Sequence, residues 1–177
     1  MFAITERLLL RPGWAEDAPA LARAIGDEAI VRNLARVPWP YGVKDAEDFL
    51  ALPQEQQRPR FLIFLRGSNE LVGCIGLHGE VAELGYWIAR PHWGLGIATE
   101  AGQAVVDLCD ASLRLPRLVS CHAIDNPASG RVLAKIGFRP TGAYGELPSL
   151  GRGCDLNVRL FARDRVSAPA EARSMAA

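Results

Sequence analysis

The sequence predicts an α+β fold: a single domain with a mixed, mostly antiparallel central sheet flanked by helices. Three observations predict it. Between Phe61 and Arg90, three strand-like segments follow one another across short turns, which is the pattern of an antiparallel meander. Ahead of them lies a helical region, and behind them a glycine-rich connection opens a long segment with a 3.6-residue apolar period. The chain then closes with a strand, a capped helix and two more strands.

Taken in order, Arg7 to Pro12 is a short apolar run stopped by Pro-Gly and predicts an edge or first strand. From Trp14 to Ile25, Ala18, Leu21, Ala22 and Ile25 recur at i, i+3, i+4 and i+7, one face of a helix. A short helix is expected over Glu28–Ala35, a turn at Trp39-Pro40-Tyr41-Gly42, and a third helix around Lys44–Leu52. Phe61–Leu65, Leu71–Leu77 and Val81–Arg90 form the meander. In the last of these, alternation puts Leu84, Tyr86 and Ile88 on one face, and Glu83, Gly85, Trp87 and Ala89 on the other. Ile97, Ala101, Ala104, Val105, Leu108 and Cys109 keep helical period in the long segment after Gly96. Leu118–Ile124 is the next strand. Asn126 then caps a helix with Pro127 at its first position and Gly137 at its stop. Phe138 onward and Asp155–Phe161 supply the closing strands. The Ala-, Pro- and Ser-rich end has no periodicity, so residues 1–165 are expected to be the domain and 166–177 a disordered tail.

Composition narrows the function classes. The chain has 177 residues with 20 Lys+Arg against 20 Asp+Glu, a formal net charge of zero, which argues against a general nucleic-acid binder. The longest unbroken apolar run, Phe61–Leu65, is far short of the ~20 residues of a membrane span. Glu6, Arg7 and Arg11 interrupt any signal-peptide core. Cys74, Cys109, Cys121 and Cys154 are widely spaced without CxxC, as expected of buried reduced thiols in a cytoplasmic protein. His78, His92 and His122 lack metal-binding spacing, so no metal is expected.

The chemistry-bearing segment is Trp93-Gly94-Leu95-Gly96-Ile97-Ala98-Thr99, between a strand and a long helix. Glycines allow close backbone approach, and the first N–H groups of a helix have no internal partner, so an anion fits there. A tight turn with no ligand is the other reading of the same residues. No Lys follows Gly96, which excludes a Walker loop, and Thr99 stands where a dinucleotide-binding fingerprint needs its third glycine.

A coenzyme A loop is the third possibility, and here the sequence resembles a known family. Trp93 to Ala98 is similar to the Q/R-x-x-G-x-G/A signature of the GNAT N-acetyltransferases, with Trp93 at its first position in place of Gln or Arg. The variant resembles the branch of RimJ and RimL, which acetylate ribosomal-protein N-termini. Thr5–Pro12, Ala82–Trp87 and Asn126–Phe138 are similar to the same branch, in order, so that the resemblance spans about residues 4–162. It implies a GNAT-like domain with acetyl-CoA between the third meander strand and the strand from Leu118. Backbone groups of Trp93, Gly94, Leu95, Gly96, Ile97, Ala98 and Thr99 would hold pyrophosphate, and those near Ile88 and Ala89 the pantetheine and thioester carbonyl. An N–H there would stabilise the oxyanion.

The resemblance places a general base at Glu83, expected to have a raised pKa among apolar neighbours. A solvated glutamate near a turn is the alternative. Asn126 and Ser129 fit helix capping, and by resemblance also fit contact with the acetyl-CoA chain and its sulfur. Leu133 stands where many relatives carry a Tyr that protonates departing CoA, leaving Ser129 or solvent for that task. Trp39, Tyr41 and Tyr144 are candidates for an acceptor pocket or for core, and His122 for a packed strand residue. The expectation is a monomeric or homodimeric, acetyl-CoA-dependent N-acetyltransferase acting on a protein or peptide α-amine in a ternary complex. It needs neither membrane nor direct nucleic-acid contact. A small-molecule amine acetyltransferase and a non-catalytic acyl-CoA-binding module are the alternatives.

Overall fold

Phe61 and Ile63 face one side of the sheet while Leu62 and Phe64 face the other, and this alternation divides the core into two layers. The computed structural model of the chain describes residues 1–165, so the expected tail lies outside the described residues. The strands are β1 (Ala3–Ile4), β2 (Leu8–Arg11), β3 (Arg60–Leu65), β4 (Leu71–His78), β5 (Glu83–Ile88), β6 (Arg117–Ala123), β7 (Arg139–Ser149) and β8 (Cys154–Asp164). They form one sheet in the order β1-β2-β3-β4-β5-β6-β8-β7. Every neighbouring pair is antiparallel except β5 and β6. The α+β class and the β3-β4-β5 meander stand as expected.

The helices are α1 (Ala18–Ile25), α2 (Glu28–Val31), α3 (Val43–Ala51), α4 (Ile97–Leu108) and α5 (Pro127–Lys135). Ile97, Ala101, Val105 and Val106 of α4 and Leu133 of α5 pack with Leu8, Leu10, Phe61, Ile63, Leu84, Ile88 and Leu118 in the larger core. On the opposite face, Ala18, Leu21 and Ala22 of α1 and Ala46 of α3 cover Leu62, Phe64 and Cys74. Tyr41 and Trp87 join this layer to a third cluster around Ile25, Ile30 and Val31.

Several boundaries differ from expectation, each for a local reason. The helix predicted from Trp14 begins as a 3-10 turn over Ala15–Asp17, and α1 follows with Pro19 in its first turn, where a missing N–H costs nothing. Asp27 caps α2 by accepting from the Ala29 N–H at 2.8 Å, but that helix stops at Val31 and not at Ala35. β5 starts at Glu83 and not at Val81, because Ala82 takes a left-handed φ of 52° and breaks the extended run. β1 was invisible in two residues of sequence. Cys154 is exposed at the start of β8, so only Cys74 and Cys109 match the expectation of buried thiols, with Cys121 half-buried. Among the described residues no helix is long and apolar enough to cross a membrane.

Candidate active site

β5 and β6 are parallel neighbours that share a single register pair, Glu83 with Val119. At that end the Val119 N–H donates to the Ala82 carbonyl and the Ser120 hydroxyl to the Leu84 carbonyl. Beyond it the strands part. In β5 the Ala89 N–H donates to Val72 across β4, so by ladder alternation Gly85, Trp87 and Ala89 spend their backbone groups on β4. The backbone groups of Tyr86 and Ile88 therefore point the other way, into the gap. On the far side the Ile124 N–H donates to Asn157, so the backbone of Cys121 faces the gap from β6. Of the two residues expected to meet the cofactor here, Ile88 turns its N–H to the cleft. Ala89 has its N–H on Val72 and its carbonyl on the His92 N–H.

At the open end of this cleft sits the glycine loop. The Trp93 indole donates to the Ile88 carbonyl at 2.7 Å, tying the loop to the end of β5, so Trp93 braces the loop through its side chain. Gly94 and Gly96 have φ of 77° and 80°, the left-handed region that L side chains avoid. No atom comes within 4 Å of where a Gly94 Cβ would stand, so space lies open beside the loop. Among the described residues, the N–H groups of Gly94, Leu95, Gly96, Ile97, Ala98 and Thr99 have no backbone acceptor. A run of unspent donors at the positive end of a 12-residue helix fits a pyrophosphate.

Glu83 stands at the closed end of the cleft, on the sheet face of Trp87 as expected. It is half-buried, accepts from the Cys121 thiol at 3.4 Å, and lies opposite His78, whose Nδ1 is 3.7 Å away. Its immediate partners are thus a thiol and an imidazole. Burial lowers the His78 pKa, Glu83 acts to raise it, and Arg36 acts with burial. Burial, with the Glu83 charge, pushes the Cys121 thiol up to about 12. Burial thus favours the uncharged form of both the imidazole and the thiol beside Glu83.

Across the gap, Asn126 caps α5 by accepting from the Ser129 N–H at 3.4 Å, the structural half of its expected role. The Ser129 hydroxyl lies 2.7 Å from the Tyr86 hydroxyl, and the Tyr86 hydroxyl also donates to the Ser129 carbonyl at 3.1 Å. Tyr86 is the candidate site residue that sequence pattern missed, since alternation gives it only as an inward position. A buried tyrosine hydroxyl needs a polar partner, and that was the available signal. Leu133 is fully buried in the core and supplies no acid.

The acceptor side is less uniform. Tyr41 and Trp87 both pack against the α1-side core, and burial, reinforced by Asp45, pushes the Tyr41 pKa up to about 12. Trp39, two residues before Tyr41, is exposed, and Tyr144 is exposed on β7 and is therefore not a core residue. Asp125 ties three segments together. It accepts from Arg152 at 2.9 Å and from Arg32 at 3.4 Å, joining the β6–α5 turn, the β7–β8 hairpin and the end of α2. His122 packs on Phe161 and against Gly130, as a strand histidine. Among the described residues no group of three or more His, Cys, Asp or Glu is placed to hold a metal ion.

Comparison with known proteins agrees with this architecture. Residues 7–139 match the acetyltransferase (GNAT) domain family. The chain is 32% identical over 183 residues to the uncharacterized N-acetyltransferase YoaA of Bacillus subtilis, covering 93% of this chain and 99% of the relative. It is 32% identical over 137 residues to the ribosomal-protein-serine acetyltransferase of Escherichia coli, covering 71% and 75%. Among solved structures, a GNAT acetyltransferase from Bacillus anthracis superposes with a TM-score of 0.80 at 24% identity, covering 93% of this chain and 98% of that one. Mycobacterium smegmatis RimJ in complex with CoA-disulfide superposes at 0.75 with 26% identity, covering 89% and 81%. With a cleft between two splayed parallel strands, a loop of free amides at its mouth and these relatives, the chain belongs to the GNAT family as an acetyl-CoA-dependent N-acetyltransferase of the RimJ/RimL-like branch.

Proposed function

We propose that the enzyme acetylates the α-amine of a protein or peptide N-terminus by direct attack of the amine on the thioester in a ternary complex. The observation that carries the site assignment is the splay of β5 from β6, with the Tyr86 backbone, the Ile88 N–H and the Cys121 backbone turned into the gap and unspent N–H groups at the mouth. An extended chain with two amides, such as pantetheine, is the complement of such a gap. The pyrophosphate on residues 94–99 sets its direction: Ile88 meets the pantetheine and Tyr86, deeper, meets the thioester. The Tyr86 N–H then donates to the carbonyl oxygen as negative charge gathers there.

Glu83 lies three residues further in, roughly 10 Å along the strand. A carboxylate at that depth takes the ammonium proton through an intervening water, leaving the amine's lone pair free to attack. The new C–N bond forms first, at the carbonyl carbon. The nitrogen's surplus proton then passes through the Ser129 hydroxyl to the sulfur as the C–S bond breaks, so that the amide and the CoA thiol leave and Ser129 is restored. The Ser129 hydroxyl, held by Tyr86, serves as a relay, giving its proton to the departing sulfur while taking the one the nitrogen sheds. A thiol has an ordinary pKa of roughly 8.5, so this acid is asked for little, consistent with a buried leucine at position 133. Trp39 and Tyr41 form the apolar side of the acceptor wall, and the preference for an N-terminal α-amine rests on the ribosomal-protein-serine acetyltransferase relative.

Glu83→Gln tests the reading. The variant is expected to lower kcat by about 10²–10³-fold near neutral pH and to leave acetyl-CoA affinity within twofold, read by CoA release and by calorimetry. Unchanged kcat removes Glu83 from the mechanism. A panel of peptides and small amines tests the acceptor: turnover on small amines alone overturns the α-amine assignment.

A further inference from the structure

Arg7, at the foot of β2, makes contacts that the fold of the N-terminal strand does not require. Its Nη1 donates to the Leu95 carbonyl at 3.0 Å, and its Nε donates to Glu100 Oε2 at 2.7 Å. Its Nη2 lies 2.7 Å from the same carboxylate oxygen. The other oxygen, Oε1, accepts from the Arg7 N–H at 3.0 Å and from the Thr5 hydroxyl at 2.6 Å. The Thr5 hydroxyl in turn accepts from the Leu8 N–H at 3.0 Å. Six polar groups, the Arg7 guanidinium and N–H, the Leu95 carbonyl, the Glu100 carboxylate, the Thr5 hydroxyl and the Leu8 N–H, thus form one connected network beside the loop between Gly94 and Gly96.

We infer that Arg7 is a positioning residue for the pyrophosphate loop, acting through the Leu95 carbonyl and Glu100; this rests on the acetyl-CoA reading above. The reason is the geometry of one peptide plane. The C=O of Leu95 and the N–H of Gly96 belong to the same planar unit and point in opposite directions. Pinning the carbonyl on Arg7 therefore aims the Gly96 N–H away from Arg7, to the side on which the loop is open. With glycine on either side of Leu95 at φ of 77° and 80°, nothing in the loop's own side chains fixes that plane. Glu100 completes the brace from the first turn of α4. Its carboxylate holds the guanidinium fork in place, and a fork with several fixed donors serves a carbonyl and a carboxylate at once, which a single ammonium does not. Arg7 acts here by orientation and not as a free cation on the phosphates, because Glu100 already pairs its charge.

Acetyl-CoA and acetyl-pantetheine separate this role from general stabilisation, because they share the thioester and only the first carries the pyrophosphate. Arg7→Ala is expected to raise KM for acetyl-CoA about tenfold with kcat within twofold, and to leave kcat/KM for acetyl-pantetheine within twofold. Arg7→Lys is expected to fall between wild type and Arg7→Ala. Equal losses on both thioesters, no loss on either, or full rescue by lysine overturns the proposal. If Arg7→Ala does not fold, Arg7→Lys carries the test alone, with a rise in KM for acetyl-CoA only as the supporting result. Should wild type bind CoA without turnover, the same contrast is read in calorimetric Kd for CoA and pantetheine. Absence of CoA binding by wild type overturns the acetyl-CoA reading itself, and with it this one.

Discussion

Arg11 and Asp17 are the buried charged side chains among the described residues, and they are paired on the helix-α1 side of the sheet. The guanidinium meets the carboxylate twice, at 2.7 and 2.8 Å, and lies between the rings of Trp14 and Phe64 at 4.0 and 4.1 Å. Asp17 also accepts from the Trp14 N–H at 2.8 Å, so one carboxylate fixes the strand end and the entry to α1. Removing one partner strands the other charge without water, which costs about 3–5 kcal/mol, whereas replacing both by apolar groups of similar volume costs far less. Arg11→Met is therefore expected to lower stability by about that amount, read as a urea midpoint shift at constant m. Arg11→Met with Asp17→Leu is expected to recover much of it. A double variant no better than the single one refutes the stranded-charge account.

At the scale of elements, the loop before α4 shows how conformation and ligand space separate. Gly94 at φ 77° and Gly79 at φ 67° both have open space where a Cβ would stand, one at the cleft mouth and one in the β4–β5 turn. Alanine at either position costs about 1–2 kcal/mol of backbone strain. Gly94→Ala is further expected to raise KM for acetyl-CoA several-fold, and Gly79→Ala to leave it alone; equal KM values in steady-state kinetics refute the placement of the anion at this loop. Much of this was legible in sequence, because apolar period and glycine spacing are local signals. The meander, the helix after Gly96 and the Asn126 cap all fell where local pattern put them. The cleft between β5 and β6 came from the family resemblance and not from local pattern, because it is made by strands that fail to pair, and pairing between residues 83–88 and 117–123 leaves no local trace. Tyr86 shows the same limit: its alternation places it inward, and only the approach of α5 brings Ser129 to its hydroxyl.

For the whole molecule, zero net charge is compatible with an anionic co-substrate because the loop offers backbone donors in place of lysines. The carboxylates instead tie distant segments together. Asp17 joins β2 to α1, Glu100 joins the N-terminal strand to α4, and Asp125 joins the β6–α5 turn to α2 and the β7–β8 hairpin. In Asp17 and Glu100, burial acts to raise the pKa, but hydrogen bonds from Arg11 and Trp14, and from Thr5 and Arg7, outweigh it and hold both below their ordinary values. The Arg152 hydrogen bond, with the charges of Arg152 and Arg32, does the same for Asp125. A carboxyl group with a lowered folded pKa binds more protons unfolded, so its stabilisation is complete above the ordinary values of 3.8 for Asp and 4.5 for Glu, and is lost as pH falls below them. His78, lowered mainly by burial, has the same sign from 6.5 downward. The urea midpoint is therefore expected to decline gently below about pH 6.5 and steeply below about pH 4.5. Two of these three ties, at Glu100 and Asp125, flank the cleft, while the buried charged side chains among the described residues, Arg11 and Asp17, lie on the α1 side and not in the α4 and α5 core. Acid is expected to weaken CoA binding, followed by calorimetry, at a higher pH than it removes helical signal in circular dichroism. Coincident loss of the two, or a midpoint that holds steady from about pH 5 to about pH 3, refutes the view that carboxylate ties set the cleft's stability apart from that of the core.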